Sequence, residues 1–197
     1  MAELFHHSVC VFCASSTQVA DVYINAAKDL ANELVKNKIA IRYGGGQVGL
    51  MGALADYTLK MGGKITGVIP QFMVEVEWQH KDVEDMILVE TMHQRKNLLI
   101  QNVDAVIALP GSTGTLEELI EVISLKKLGL FSKPVIIINT NGFYNSLKDL
   151  LNKMIDEKMM RKEHLKVCNF TDQPKGIVDL IRNIPDWIDD DKKLAAL

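Results

Sequence analysis

Six short apolar runs punctuate the chain, at residues 9–13, 39–43, 65–69, 87–89, 105–109 and 135–138. They are close to continuous rather than alternating, and glycine, proline or polar residues bound most of them, as in strands buried on both faces of a parallel sheet. Between and after them the apolar spacing changes to the three-and-four step of a helix, over 20–36, 48–61, 92–102, 115–128 and 143–159. This repeated strand–helix order predicts an α/β fold: an open parallel sheet flanked by helices on both faces, with right-handed crossovers. No repeat, low-complexity tract or Pro/Ser-rich linker divides it, so 1–184 is expected to form a single domain. The end from Pro185 to Leu197 carries Asp186, Asp189, Asp190 and Asp191, then Lys192 and Lys193. It is expected to be a mobile, solvated tail.

Composition narrows the classes. The chain has 197 residues, 48% hydrophobic and 24% charged, enough to bury a core without disulfide or metal support. Lys and Arg number 22 against 25 Asp and Glu, a formal net charge of -3. The electrostatic footprint of a nucleic-acid or anionic-membrane binder is missing. The first seven residues lack the cationic and long apolar regions of a signal peptide, and no stretch is apolar for about 20 residues. Cys10 and Cys13 form a C-x-x-C, but on a strand their odd separation turns the thiols to opposite faces, and no second pair completes a metal site. They are expected to be core residues in a reducing, cytoplasmic protein.

Ligands of open α/β sheets collect beyond the carboxyl ends of the strands, and three junctions there carry unusual residues. The first, GGGQVGLMG at 44–52, contains G-x-G-x-x-G. It follows the second strand, not the first, and no acidic residue lies about 20 positions on, so it is a poor dinucleotide fingerprint. Its glycines suit close backbone approach to a phosphate or ribose. The second, PGSTGTLEE at 110–118, is a glycine- and hydroxyl-rich turn opening a helix, the arrangement that presents unbonded amides to an anion. It lacks the Gly-Lys-Ser/Thr of a Walker A loop, which argues against ATP or GTP hydrolysis. Glu117 and Glu118 follow in the same helix, where acids can simply complement the dipole. The third, MHQRK at 92–96, sets Arg95 and Lys96 near a helix start, where cations oppose the dipole. Arg95 suits bidentate contact with phosphate or carboxylate.

Taken together, GGGQVGLMG, MHQRK and PGSTGTLEE resemble the Lonely Guy (LOG) family, whose members were often labelled lysine decarboxylases. Cys13-Ala14-Ser15-Ser16 is similar to its C-G-S-S turn, and Glu77-x-x-His80 to its E-x-x-H segment. The resemblance runs from about Val9 to Met159. It implies a Rossmann-like homodimer that hydrolyses the N-glycosidic bond of a nucleoside 5′-monophosphate, AMP or a cytokinin nucleotide, to free base and ribose 5-phosphate. By position it implies Arg95 and one of Glu117 and Glu118, with Glu118 favoured, as the catalytic pair. Gly111, Ser112, Thr113, Gly114 and Thr115 would cradle the phosphate. Ser15, Gly45, Gly46, Glu77, Met92, Lys96 and Glu117 would line the substrate. The resemblance implies neither metal nor cofactor. Pyridoxal-phosphate chemistry needs a Schiff-base lysine, and no lysine adjoins the phosphate loop in sequence.

Two departures stand out: Ser112 occupies the second glycine of the family's P-G-G-x-G-T, and Ala14 the glycine of its C-G-S-S. A positive φ at Ser112 would strain the backbone by about 1–2 kcal/mol; alternatively its hydroxyl donates to the phosphate. A nucleotide or phospho-sugar binder without turnover is the competing expectation. Arg95 is open to two roles, neutralising the leaving base or clamping phosphate and ribose. Apolar residues on helices near Met51, Leu54, Met92, Leu98 and Leu99 accompany the expected dimer.

Overall fold

The computed structural model describes residues 7–75 and 78–187. Seven strands form one parallel sheet: β1 (His7–Phe12), β2 (Ile39–Tyr43), β3 (Ile65–Pro70), β4 (Met86–Val89), β5 (Ala105–Ala108), β6 (Val135–Ile138) and β7 (Asn169–Thr171). Their order is β4-β3-β2-β1-β5-β6-β7. The chain thus steps outward from β1 to β4, then crosses back to lay β5 on the other side of β1. In register, Val9 to Phe12 of β1 face Ala105 to Ala108 of β5, and Val9 to Val11 face Ile41 to Tyr43 of β2. The reversal puts a topological switch point between β1 and β5, the place beyond the strand ends where open α/β sheets bind their ligands.

Helices cover both faces, as the near-continuous apolar runs require. On one face lie α1 (Asp21–Lys36), α2 (Gly49–Lys60) and α7 (Ile177–Asn183); on the other α4 (Met92–Ile100), α5 (Thr113–Lys127) and α6 (Asn145–Asp156). A short α3 (Gln71–Glu75) follows β3. Alternate residues of β1 feed the two cores: Val9 and Val11 pack with Leu30, Leu34 and Leu54, while Cys10 and Phe12 pack with Leu99, Leu119 and Val122. Cys13 joins the first core and Cys10 the second, the opposed placement expected of their spacing.

α4 begins where its sequence dictates. Thr91 Oγ1 accepts the Gln94 amide at 3.2 Å and Gln94 Oε1 accepts the Thr91 amide at 3.3 Å, a reciprocal capping box.

Three features differ from the sequence expectation. α5 starts at Thr113, two residues early, because Ser112 already accepts the Leu116 amide. The helix expected over 143–159 runs only from Asn145 to Asp156, after a 3-10 turn at Thr140–Gly142. β7 and α7 carry no strong apolar period and gain their order from the sheet edge and from α1. Of the expected tail, residues 188–197 lie outside the described residues. Trp187 is 8% exposed and its amide donates to Ser132 O at 2.7 Å, while Asp186 pairs with Lys133 at 2.6 Å, which holds 186–187 against the body.

Candidate active site

The loops beyond β1, β2 and β5 bond to one another. The turn after β1 joins the turn after β5 through the Ala14 amide, which donates to Pro110 O at 3.2 Å. It also joins α2, since Ala14 O accepts the Met51 amide at 3.1 Å. Ser15 is exposed on this turn, against Gly49. Beyond β2, Gly45 O accepts the His80 amide at 2.9 Å and Gly46 bridges Gln79 in antiparallel fashion. His80 is buried; its Nδ1 accepts the Asp82 amide at 3.2 Å, so Nε2 carries the proton toward Asp56 Oδ1, 3.1 Å away. Glu77 itself lies outside the described residues.

Beyond β5, Gly111 packs directly on Thr115, so closely that any Cβ at this position would overlap the threonine side chain. Ser112 is the N-cap of α5, with φ -86° and ψ -164°. This is extended backbone, so the left-handed strain considered for a serine here does not arise. Its side chain makes no cap bond. The amides of Thr113, Gly114 and Thr115 belong to the first turn, where a helix offers no carbonyl partner, at the positive end of its dipole. A Cβ on Gly114 would meet nothing within 4 Å, so this turn faces open space.

One turn further, Glu118 points inward to Arg95. Arg95 is 5% exposed and Glu118 6%. The guanidinium uses all three nitrogens: Nη1 donates to Glu118 Oε1 at 2.5 Å, Nε to Val68 O at 3.1 Å and Nη2 to Gly44 O at 3.3 Å. The Val68 carbonyl lies in the C-terminal half of β3, and that of Gly44 just beyond the end of β2. Gly44 leaves room for this contact, because a Cβ there would enter the space of Nη2 and displace the guanidinium. The neighbouring residues pair on the outside: Lys96 Nζ reaches Glu117 at 2.5 Å and Glu121 at 2.8 Å. Consecutive cations of α4 therefore meet consecutive acids of α5, one pair buried and one at the surface. Met92 opens α4 and is 38% exposed.

The electrostatics follow from burial. Desolvation pushes the Glu118 carboxyl above its ordinary range, and the Arg95 charge opposes that rise. Hydrogen bonds donated to the Glu117 and Glu121 carboxylates hold the Lys96 ammonium pKa up. Burial raises the thiols of Cys10 and Cys13 far above the ordinary range and that of Cys168 to about 11, so all three stay protonated and unreactive at neutral pH. Among the described residues, no cluster of three or more His, Cys, Asp and Glu could hold a metal ion. No described helix is long and apolar enough to cross a membrane.

Sequence reasoning missed the acceptors of Arg95 at Val68 and Gly44, and also missed Tyr144, whose hydroxyl donates to Leu109 O at 2.8 Å. Backbone carbonyls carry no residue-type signature, and Tyr144 contacts a loop 35 positions away.

Comparison with known proteins identifies the family. A family model described as "Possible lysine decarboxylase" matches residues 51–181. The chain is 41% identical over 153 residues to cytokinin riboside 5′-monophosphate phosphoribohydrolase LOG5 of Arabidopsis thaliana, covering 78% of this chain and 67% of the relative. It is 37% identical over 188 residues to LOG1 of the same plant, covering 95% and 87%. In fold it is similar to the molybdenum cofactor carrier protein of Chlamydomonas reinhardtii, with a TM-score of 0.69 at 15% identity over 90% of this chain and 97% of that one. TM1055 is likewise similar, with a TM-score of 0.69 at 20% identity over 90% and 99%. At such identities the likeness speaks to fold alone. With the family model spanning most of the chain and relatives 41% and 37% identical over 78% and 95% of it, the protein belongs to the LOG family, the family of the cytokinin riboside 5′-monophosphate phosphoribohydrolases.

Proposed function

We propose that this protein hydrolyses the N-glycosidic bond of a nucleoside 5′-monophosphate, AMP or a cytokinin nucleotide, releasing the base and ribose 5-phosphate. The observation that carries this reading is the buried Arg95–Glu118 pair one helical turn beyond the first-turn amides of α5. Four residues along a helix span about 6 Å, comparable with the reach from a 5′-phosphate to C1′. A phosphate on the amides of Thr113, Gly114 and Thr115, with the Ser112 hydroxyl beside them, sets C1′ near Glu118.

Cleavage of the ribosyl C1′–N bond builds oxocarbenium character on the sugar. The Glu118 carboxylate stabilises that charge and orients or deprotonates the attacking water. Arg95 gives its hydrogen bonds to Glu118 and to two backbone carbonyls, which supports a role in aiming the carboxylate and keeping it ionised rather than in clamping phosphate. Ser15, Gly45, Gly46, Met92 and Lys96 border the substrate, and Glu117 acts through Lys96. Binding energy taken up at the phosphate makes nucleotides better substrates than nucleosides.

The test is direct. Purified protein incubated with AMP, other nucleoside monophosphates and isopentenyladenosine monophosphate releases free base, followed by chromatography; no base from any of them removes the hydrolase reading. The protein acts as a cytoplasmic homodimer, which sedimentation checks as a particle of twice 22.0 kDa.

A further inference from the structure

The loop that leads into α5 is held from two sides. From β1, Phe12 O accepts the Leu109 amide at 2.9 Å, and the Ala14 amide donates to Pro110 O at 3.2 Å. From the β6 side, the Tyr144 hydroxyl donates to Leu109 O at 2.8 Å. Of these three bonds only the last is made by a side chain.

Tyr144 is itself firmly seated. It is 2% exposed; Asn139 Oδ1 accepts its amide at 2.6 Å, and Asn139 Nδ2 donates to Asn145 Oδ1 at 2.8 Å. The Phe143 ring meets it edge-on, with centroids 5.0 Å apart and planes at 87°. Burial holds the phenol proton well above the ordinary tyrosine range, so the hydroxyl stays a donor at every working pH.

What Tyr144 grips matters for the site. Leu109 directly precedes Pro110 and Gly111, and Gly111 is pressed onto Thr115 in the first turn of α5. Movement of the Leu109 carbonyl is transmitted to the amides of Thr113, Gly114 and Thr115. Glu118, in contrast, is anchored from α4 by Arg95.

We infer that Tyr144 is a positioning residue for the phosphate end of the substrate: its hydroxyl pins the Leu109 carbonyl and so sets the first-turn amides of α5 where the 5′-phosphate binds. This rests on the hydrolase reading above. Two anchors then serve one helix, Tyr144 for affinity toward phosphate and Arg95 for the chemistry.

The experiment measures the Kd of ribose 5-phosphate by calorimetry, with KM and kcat for AMP, on the full-length protein and three variants. Tyr144→Phe keeps the ring and deletes the hydroxyl. It is expected to weaken ribose 5-phosphate by about tenfold, the effect of one hydrogen bond, to raise KM equally and to leave kcat within about twofold. Asn139→Ala releases the Tyr144 amide but keeps the hydroxyl, and raises the Kd by a smaller factor; it also provides the reading if Tyr144→Phe folds poorly. Phe143→Leu disturbs the edge-on ring contacts with Tyr144 and Tyr23, spares the hydroxyl and its hydrogen bond, and leaves the Kd unchanged. An unchanged Kd in both Tyr144→Phe and Asn139→Ala overturns the inference, as does a loss confined to kcat. An equal weakening by Phe143→Leu assigns the effect to packing and overturns it too. If wild-type protein binds no ribose 5-phosphate, the phosphate reading of α5 fails and takes the inference with it; wild-type binding with no effect of Tyr144→Phe or Asn139→Ala removes the Tyr144 role alone.

Discussion

Arg95 is a buried cation that donates to one carboxylate and two backbone carbonyls. Taking it out of water is costly, and the three bonds together with the Glu118 charge offset that cost. Glu118 lives with the reverse problem, since burial favours its neutral form while Arg95 favours the charged one. For a carboxylate that has to be ionised to act, activity is lost as pH falls through a value above the ordinary glutamate range. Arg95→Gln removes the opposing charge, so the acid limb of kcat moves to higher pH; a pH–rate profile of the variant reads the shift. Glu118→Gln keeps the shape and removes the charge. Turnover of AMP is expected to fall by at least about 10²-fold, with ribose 5-phosphate affinity within a few-fold of wild type by calorimetry. Retained turnover would move the role to Glu117. The identity of these residues was legible from spacing and resemblance; which glutamate faces inward was not, because the inner and outer pairs differ only in the face of α5 they occupy.

At the scale of elements, two helix starts do most to form the site. The Thr91–Gln94 capping box fixes where α4 begins and hence the angle at which Arg95 and Lys96 leave it. Thr91→Ala is expected to cost about 1 kcal/mol, read as a melting temperature lower by about 2–4 °C. The start of α5 depends on Gly111 fitting under Thr115, and on Ser112 in an extended conformation. The apolar runs predicted six of the seven strands almost to the residue, since strands buried on both faces leave a continuous signature. They missed β7, three half-exposed residues on the sheet edge, and α7, whose apolar residues close over α1 only after the sheet has formed. The two-residue early start of α5 went unseen because Ser112 and Gly114 are weak helix formers, held there by the loop below.

Across the whole molecule, a net charge of -3 coexists with the phosphate site proposed at the start of α5. Recognition in that case is local, from amides, glycines and a hydroxyl at one helix start, not from a surface field. KM for AMP is therefore expected to change by less than about threefold between 50 and 200 mM salt, unlike the steep dependence of a binder that neutralises many phosphates; steady-state kinetics across that range checks it. The parallel sheet, the helices on both faces, the opposed cysteines and the three glycine- or cation-bearing junctions were all determined by the sequence alone. Each follows from local periodicity or local chemistry, and a local pattern keeps its meaning whatever the rest of the chain does. Tertiary structure alone decided that β5 crosses back beside β1, that Arg95 reaches Val68, Gly44 and Glu118, and that Tyr144 holds the loop before α5. Those contacts join residues 23 to 51 positions apart, and only the packed sheet brings them within bonding distance.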